Sequence, residues 1–349
     1  MCGIHGIVNL KGGLTPHPSV LESMGDVTVH RGPNDSGVHA SDGVAIGMRR
    51  LSIIDLSGGH QPISNHDDTL WLVCNGEIYN FRSLRDELIG KGHRFKTHSD
   101  SEVVLHAYAE WGDSFIEHID GMFGFALYDK PRGRVIIARD RLGIKPLYYL
   151  NDGERLIFAS EAKAILAVPG VKAEVDPQGL HQYLSLGYAP APLSLLKGIR
   201  KLPVASMIVV EAGEVNIREY WRLPTQVDGA KNEAQWMQAL LAEVERAVKE
   251  QMVSDVPLGA FLSGGVDSSS IVGLMAKHSQ DPVRTYAIGF DTGGGAGAMF
   301  NELPYAQQVA QLFKTQHKEI VVRPEVVSLL PKLLWHMDEP IADSAFITT

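Results

Sequence analysis

The spacing of apolar and polar positions over the first 220 residues predicts paired antiparallel strands. Met122 to Asp129 and Arg134 to Asp140 flank a Lys130-Pro131-Arg132-Gly133 turn, and Leu147 to Leu150 with Arg155 to Ala159 flank Asn151-Asp152-Gly153. Met207 to Val210 and Val215 to Tyr220 close a third unit around Ala212-Gly213. Helical spacing is clearest from Asp100-Ser101 through Val103, Val104, Leu105 and Tyr108, with a stop at Gly112. After Trp221 the pattern changes. A polar stretch from Thr225 to Glu233 leads into an amphipathic helix from about Ala234 to Met252. Strands and helices then alternate: strand Leu258 to Leu262, helix Ser268 to Lys277, strand Thr285 to Phe290, helix Tyr305 to Phe313, strand Glu319 to Val322 and helix Glu325 to His336. That alternation predicts a parallel sheet with crossover helices. The expectation is an α/β chain with one domain over residues 1–222, a linker at 223–234 and a second domain over 235–349.

Composition narrows the function. With 349 residues, 44% hydrophobic and 21% charged, the chain can bury two cores, and no apolar run approaches the roughly 20 residues of a membrane span. A net charge of −9 argues against nucleic acid, whose binders carry a basic face, so an anionic ligand must be held by a local site. The two cysteines, Cys2 and Cys74, read as reduced thiols, and Met1-Cys2-Gly3-Ile4 lacks a secretory signal, so a cytoplasmic protein is expected. Cys74 ends the apolar strand Trp71-Leu72-Val73-Cys74 and reads as packed, not reactive.

Cys2 differs because removal of Met1 would leave a free α-amine beside a thiol, which together supply nucleophile and base. Position alone is weak support, since a cysteine is also a small buried hydrophobe. What accompanies it decides: His30-Arg31-Gly32-Pro33, Arg50-Leu51-Ser52-Ile53-Ile54-Asp55, Asn75-Gly76-Glu77-Ile78-Tyr79-Asn80 and Ser99-Asp100-Ser101-Glu102. This set resembles the class II glutamine amidotransferases, whose glutaminase domain is an αββα N-terminal-nucleophile hydrolase with antiparallel sheets. The resemblance implies Cys2, Asn75 and Gly76 as catalytic, Asn75 Nδ2 and the Gly76 N–H forming the oxyanion hole. It further implies Arg50, Leu51 and Ile54 around the glutamine carboxylate and side chain, with Glu77 and Asp100 on its ammonium. Asn34 stands where the family commonly has Asp, and Gly124 where Ala is common.

In the second region, Leu262-Ser263-Gly264-Gly265-Val266-Asp267-Ser268-Ser269 follows an apolar strand and opens a helix, a geometry suited to anions. It is not a Walker A loop. It resembles the pyrophosphate loop of ATP pyrophosphatases, and so implies ATP held by Ser263, Gly265, Asp267 and Ser268, with Phe261 and Ile288 on adenosine and Asp267 on Mg²⁺. The Gly293-Gly294-Gly295-Ala296-Gly297 run lacks nucleotide-binding spacing and reads as a loop.

The two halves in this order, with Asp338-Glu339-Pro340-Ile341-Ala342-Asp343-Ser344, resemble the glutamine-hydrolysing asparagine synthetases. The implied second domain is the start of a doubly wound parallel α/β fold. The implied substrates are glutamine, aspartate and ATP with Mg²⁺, and a homodimer is allowed. The family's second acidic motif is not reached by Thr349, so a fragment of a longer protein is expected. Amidation of another carboxylate and a non-catalytic binding module are the alternatives, the latter opposed by Cys2, Arg50, Asn75 and Asp100 standing together.

Overall fold

The computed structural model describes residues 1–227, 229–290, 301–322 and 326–343. The strands of the first region are β1 (Gly3–Asn9), β2 (Asp35–Ser41), β3 (Val44–Arg50), β4 (Ile63–Ser64), β5 (Leu70–Ile78), β6 (Gly121–Asp129), β7 (Arg134–Arg139), β8 (Tyr148–Asn151), β9 (Arg155–Ala159), β10 (Arg200–Lys201), β11 (Ser206–Glu211) and β12 (Glu214–Glu219). They form two six-stranded antiparallel sheets, ordered β10-β8-β9-β1-β3-β2 and β12-β11-β7-β6-β5-β4. The three predicted hairpins are present, each within a residue or two of its expected ends.

Alternation along the strands sorts side chains into layers. On β1, Ile4 and Val8 point between the sheets, where they meet Ile46, Val73, Ala126, Tyr128, Ile137, Phe158 and Ile208. Ile7 points the other way, onto α1 (Pro18–Asp26) and α4 (Ala162–Leu166) through Leu21, Met24 and Ile165. The outer side of β5 carries α3 (Glu102–Trp111), which packs with α2 (Phe81–Gly90). The layering is αββα. The predicted helix after Asp100 is α3, and Gly112 follows its last turn. A fifth helix, α5 (Pro177–Leu186), is capped by Asp176, which accepts from the Gln178 and Gly179 N–H groups.

The second region begins with α6 (Glu233–Gln251), started by a capping box in which Asn232 and Gln235 satisfy each other's backbone N–H. β13 (Gly259–Phe261), β14 (Arg284–Phe290) and β15 (Gln316–Val322) then form a parallel sheet in that order, linked by α7 (Val266–His278) and α8 (Leu303–Leu312). Leu262, Val272, Ala287, Ala306 and Ala310 make its core. The predicted alternation is therefore observed, and α9 (Val326–Met337) follows β15. The glycine run at 293–297 lies outside the described residues. Contacts group Met1–Pro224 with Leu334–Asp343 in one unit and Thr225–Leu333 in the other. Among the described residues, no helix is long and apolar enough to cross a membrane.

Candidate active site

Pairing of β1 between β3 and β9 carries the start of the chain to the end of β3, and that delivers Cys2 to Leu51. The half-buried thiol accepts from the Leu51 N–H at 3.3 Å and lies 3.5 Å from the Leu51 carbonyl, to which it donates. Burial raises its pKa, against the Leu51 hydrogen bond and the nearby amino terminus, which lower it. A thiol so placed is neutral at pH 7 and needs a base. The α-amine here belongs to Met1. Burial lowers that amine's pKa, the thiol opposes the shift, and Arg31 and Lys145 add to it.

Arg50, the last residue of β3, is buried, and its Nη2 donates to the carbonyls of Ile54 and Asp55 at 2.9 and 2.8 Å. The loop after β3 thus curls around the guanidinium, and Leu51 and Ile54 sit on the same short segment. Asn34, one of the two departures from the family pattern, accepts from the Ser52 N–H at 3.1 Å and steadies that loop. At the other departure, a methyl on Gly124 would meet the Pro146 carbonyl at 3.6 Å, an ordinary contact, so alanine would fit.

Asn75 and Gly76 lie on β5, opposite Gly124 and Phe123 of β6. Asn75 is buried and its Nδ2 has no hydrogen-bond partner among the described residues, an arrangement that costs free energy unless a ligand oxygen completes it. A Cβ on Gly76 would stand 2.3 Å from the Met122 carbonyl oxygen, so only glycine allows the two strands to approach here. Asp100 is buried before α3 and accepts from the Ile78 N–H at 2.7 Å, which fixes it against the end of β5. Burial raises the pKa of both Asp100 and Glu77, and their proximity raises that of Glu77 further, while Lys145 pulls it down. Cys74, whose thiol burial also pushes up, is enclosed, and its backbone is bonded to the Gln61 side chain.

In the second unit, Leu262 extends the sheet by donating to the Tyr286 carbonyl at 2.8 Å, and the chain then turns at Gly264. Gly264 has φ +84°, and a Cβ there would lie 2.5 Å from the backbone of Tyr305. Ser263 and Ser268 hydroxyls are 3.0 Å apart, the Gly265 N–H donates to Ser263 Oγ, and Ser268 lies with Asp267 in the first turn of α7. Ser269 Oγ is buried without a partner among the described residues. Phe261 is 72% exposed and Ile288 half-buried, on neighbouring parallel strands. Among the described residues no three His, Cys, Asp or Glu side chains gather to hold a metal. Asp267, an exposed carboxylate in the first turn of α7, is the kind of oxygen donor that fits Mg²⁺, which takes one or two carboxylates and completes its shell with other oxygens and water.

Residues 1–221 match the glutamine amidotransferase domain family, and residues 239–349 match the asparagine synthase family. The chain is 35% identical to asparagine synthetase (glutamine-hydrolyzing) 3 of Bacillus subtilis, over 98% of this chain and 56% of that protein. It is 35% identical to putative asparagine synthetase (glutamine-hydrolyzing) 2 of Methanocaldococcus jannaschii, over 98% of this chain and 69% of the relative. Asparagine synthetase B of Escherichia coli is 33% identical over 92% of this chain and 54% of its own length. The chain belongs to the glutamine-hydrolysing asparagine synthetase family. It spans between about half and two thirds of these relatives.

The structure adds residues near Cys2 that sequence patterning passed over. The carboxylate of buried Asp140 accepts from the N–H groups of Leu142, Ile144 and Lys145, and from Phe123 on β6. One side chain therefore winds the loop after β7 and presents Lys145, itself buried, to Glu77 and Cys2. Burial lowers the Lys145 pKa and Glu77 opposes it. Arg31 donates from Nε to the Cys2 carbonyl at 2.8 Å. The signal available for Lys145 was an acid and a lysine five apart around Gly143, a turn with a charge at each end.

Proposed function

We propose that this chain hydrolyses glutamine at Cys2 and belongs to an enzyme that transfers the released ammonia to ATP-activated aspartate. The first step is supported most by one observation: a thiol held by Leu51 within electrostatic reach of Glu77, on the strand that also carries a buried Asn75 amide donor with no partner among the described residues. In this reading the Cys2 amine takes the thiol proton and the sulfur attacks the glutamine side-chain carbonyl. The oxyanion is received by Asn75 Nδ2 and the Gly76 N–H. Collapse returns the proton to the departing ammonia and leaves a γ-glutamyl thioester, which water hydrolyses to glutamate. Arg50 receives the substrate carboxylate with Leu51 and Ile54 beside it, while Glu77 and Asp100 hold its ammonium and drop their proton as that cation arrives.

The loop from Ser263 to Ser268 binds the ATP phosphates through Ser263, Gly265 and Ser268, with Asp267 on Mg²⁺ and Phe261 and Ile288 at the adenosine. Mg²⁺ there would neutralise phosphate charge. Aspartate is activated as β-aspartyl-AMP with release of pyrophosphate, and ammonia converts it to asparagine and AMP. Residues 1–222 carry the glutaminase, 223–234 the linker and 235–349 synthetase sequence, and the reaction is assigned to the cytoplasm. Purified chain is expected to lack Met1 by mass spectrometry and to release glutamate from glutamine without ATP. A Cys2→Ala chain that retained this activity would overturn the reading.

A further inference from the structure

The Asp338-Glu339-Pro340 motif has no part in the reactions above, although contacts assign it to the amidotransferase unit and Glu339 is buried there. Glu339 pairs with Lys201 at 2.5 Å and accepts from the Leu195 N–H. Asp338 is bonded differently. Its Oδ1 pairs with Lys163 Nζ at 2.8 Å, Lys163 pairs with Glu161 Oε2, and Glu161 Oε1 accepts from Arg31 Nη1 at 2.9 Å. Arg31 Nε then donates to the Cys2 carbonyl. The four side chains are 4–8% exposed, so solvent neither screens nor replaces these bonds.

We propose that Asp338 is a positioning residue for the Cys2 nucleophile, acting through Lys163, Glu161 and Arg31. The claim rests on the reading of Cys2 as the glutaminase nucleophile. Three features make the line of charges stiff. Arg31 is a planar fork, so a tilt of Glu161 at one prong moves the Nε that holds Cys2. Its remaining nitrogen, Nη2, is buried without a partner among the described residues, so nothing else pins the guanidinium. Lys163 is shared by two carboxylates, and its ammonium also lies 5.6 Å from the centre of the Trp335 ring, on the segment that carries Asp338. Removing the Asp338 charge releases Lys163 wholly to Glu161 and draws that carboxylate off the Arg31 axis. His30, 3.0 Å from Glu161, faces the same carboxylate and would follow it.

Asp338 has φ +63°, a conformation asparagine also tolerates, so Asp338→Asn removes the charge without adding backbone strain. In ATP-free glutamine hydrolysis, Asp338→Asn is expected to lower kcat about tenfold while KM stays within about twofold. Alkylation of Cys2 by the diazoketone analogue of glutamine should slow by the same factor. Combined with Lys163→Met it should add nothing to the loss from Lys163→Met alone, since both act on one line. An unchanged kcat, a loss residing in KM, or additive losses would each overturn the proposal. If Asp338→Asn gives no folded protein, Lys163→Arg keeps the charge and shifts its position, and is expected to lower kcat at constant KM; an unchanged kcat overturns the proposal. A parent chain that hydrolyses no glutamine would sink the glutaminase reading. The rate at which iodoacetamide alkylates Cys2, which needs no turnover, would still read Asp338: slower or faster in Asp338→Asn supports its role, and an equal rate removes it.

Discussion

The two sites are built in opposite ways. The pocket around Cys2 gathers residues from positions 2 to 145, brought together by long-range pairing of β1, β3, β5 and β6 and mostly buried. The loop from Ser263 to Ser269 is seven consecutive residues whose bonds run to one another and to the first turn of α7. One is a product of tertiary packing and the other of local backbone. The pocket can therefore tune pKa values by burial and mutual charge, while the loop relies on N–H groups and hydroxyls that need no tuning.

Substitutions can break this contrast. Cys2→Ala should lower ATP-independent glutamate release by at least about 10⁴-fold, because the attacking sulfur is lost. Asn75→Ala should lower kcat by about 10²–10³-fold with little change in KM, as expected when one oxyanion donor is lost, and steady-state kinetics separates the two. Lys145→Met removes the cation facing Glu77 and should lower kcat/KM by about tenfold, recovered in part as pH rises and Glu77 ionises. A pH profile that keeps the parent's shape would remove Lys145 from the pocket.

Thermal unfolding reads the same carboxylate. Its folded pKa is raised from 4.5 to about 8, so the folded state keeps a proton that the unfolded chain surrenders. Stability gained from it is present below pH 4.5 and is lost as pH rises toward 8. Glu77→Gln should flatten that decline, leaving Tm at pH 8 above the parent's by roughly 2–4 °C. Last, Asp267→Asn should weaken nucleotide binding while leaving ATP-free glutamine hydrolysis within about twofold, as locality of the loop requires. A large glutaminase loss there would contradict the separation of the two sites.

The same contrast explains what could be read from sequence. The loop was legible because its chemistry is contiguous, strand then glycines then a hydroxyl-rich helix start. In the first unit, hairpins such as β6–β7 and the helix α3 announced themselves through local periodicity and turns. Arg50, Asn75, Glu77 and Asp100 were reached through family resemblance, since nothing local separates Asn75-Gly76 from a plain turn. Strands β1 and β3 were not resolved, because they are buried on both faces, which blurs alternation. The Arg31–Glu161 and Lys163–Asp338 pairs join residues 130 and 175 positions apart, and no periodicity encodes such a meeting.

Gly264 and Gly265 are adjacent letters under different constraints. A methyl on the first would strike the Tyr305 backbone, whereas one on the second meets only Ser263 Oγ at 3.4 Å. In a saturation library selected for folding, position 264 should hold a single allele and position 265 several. The genetic rigidity of the loop is thus set by the start of α8 behind it, before any nucleotide exerts selection.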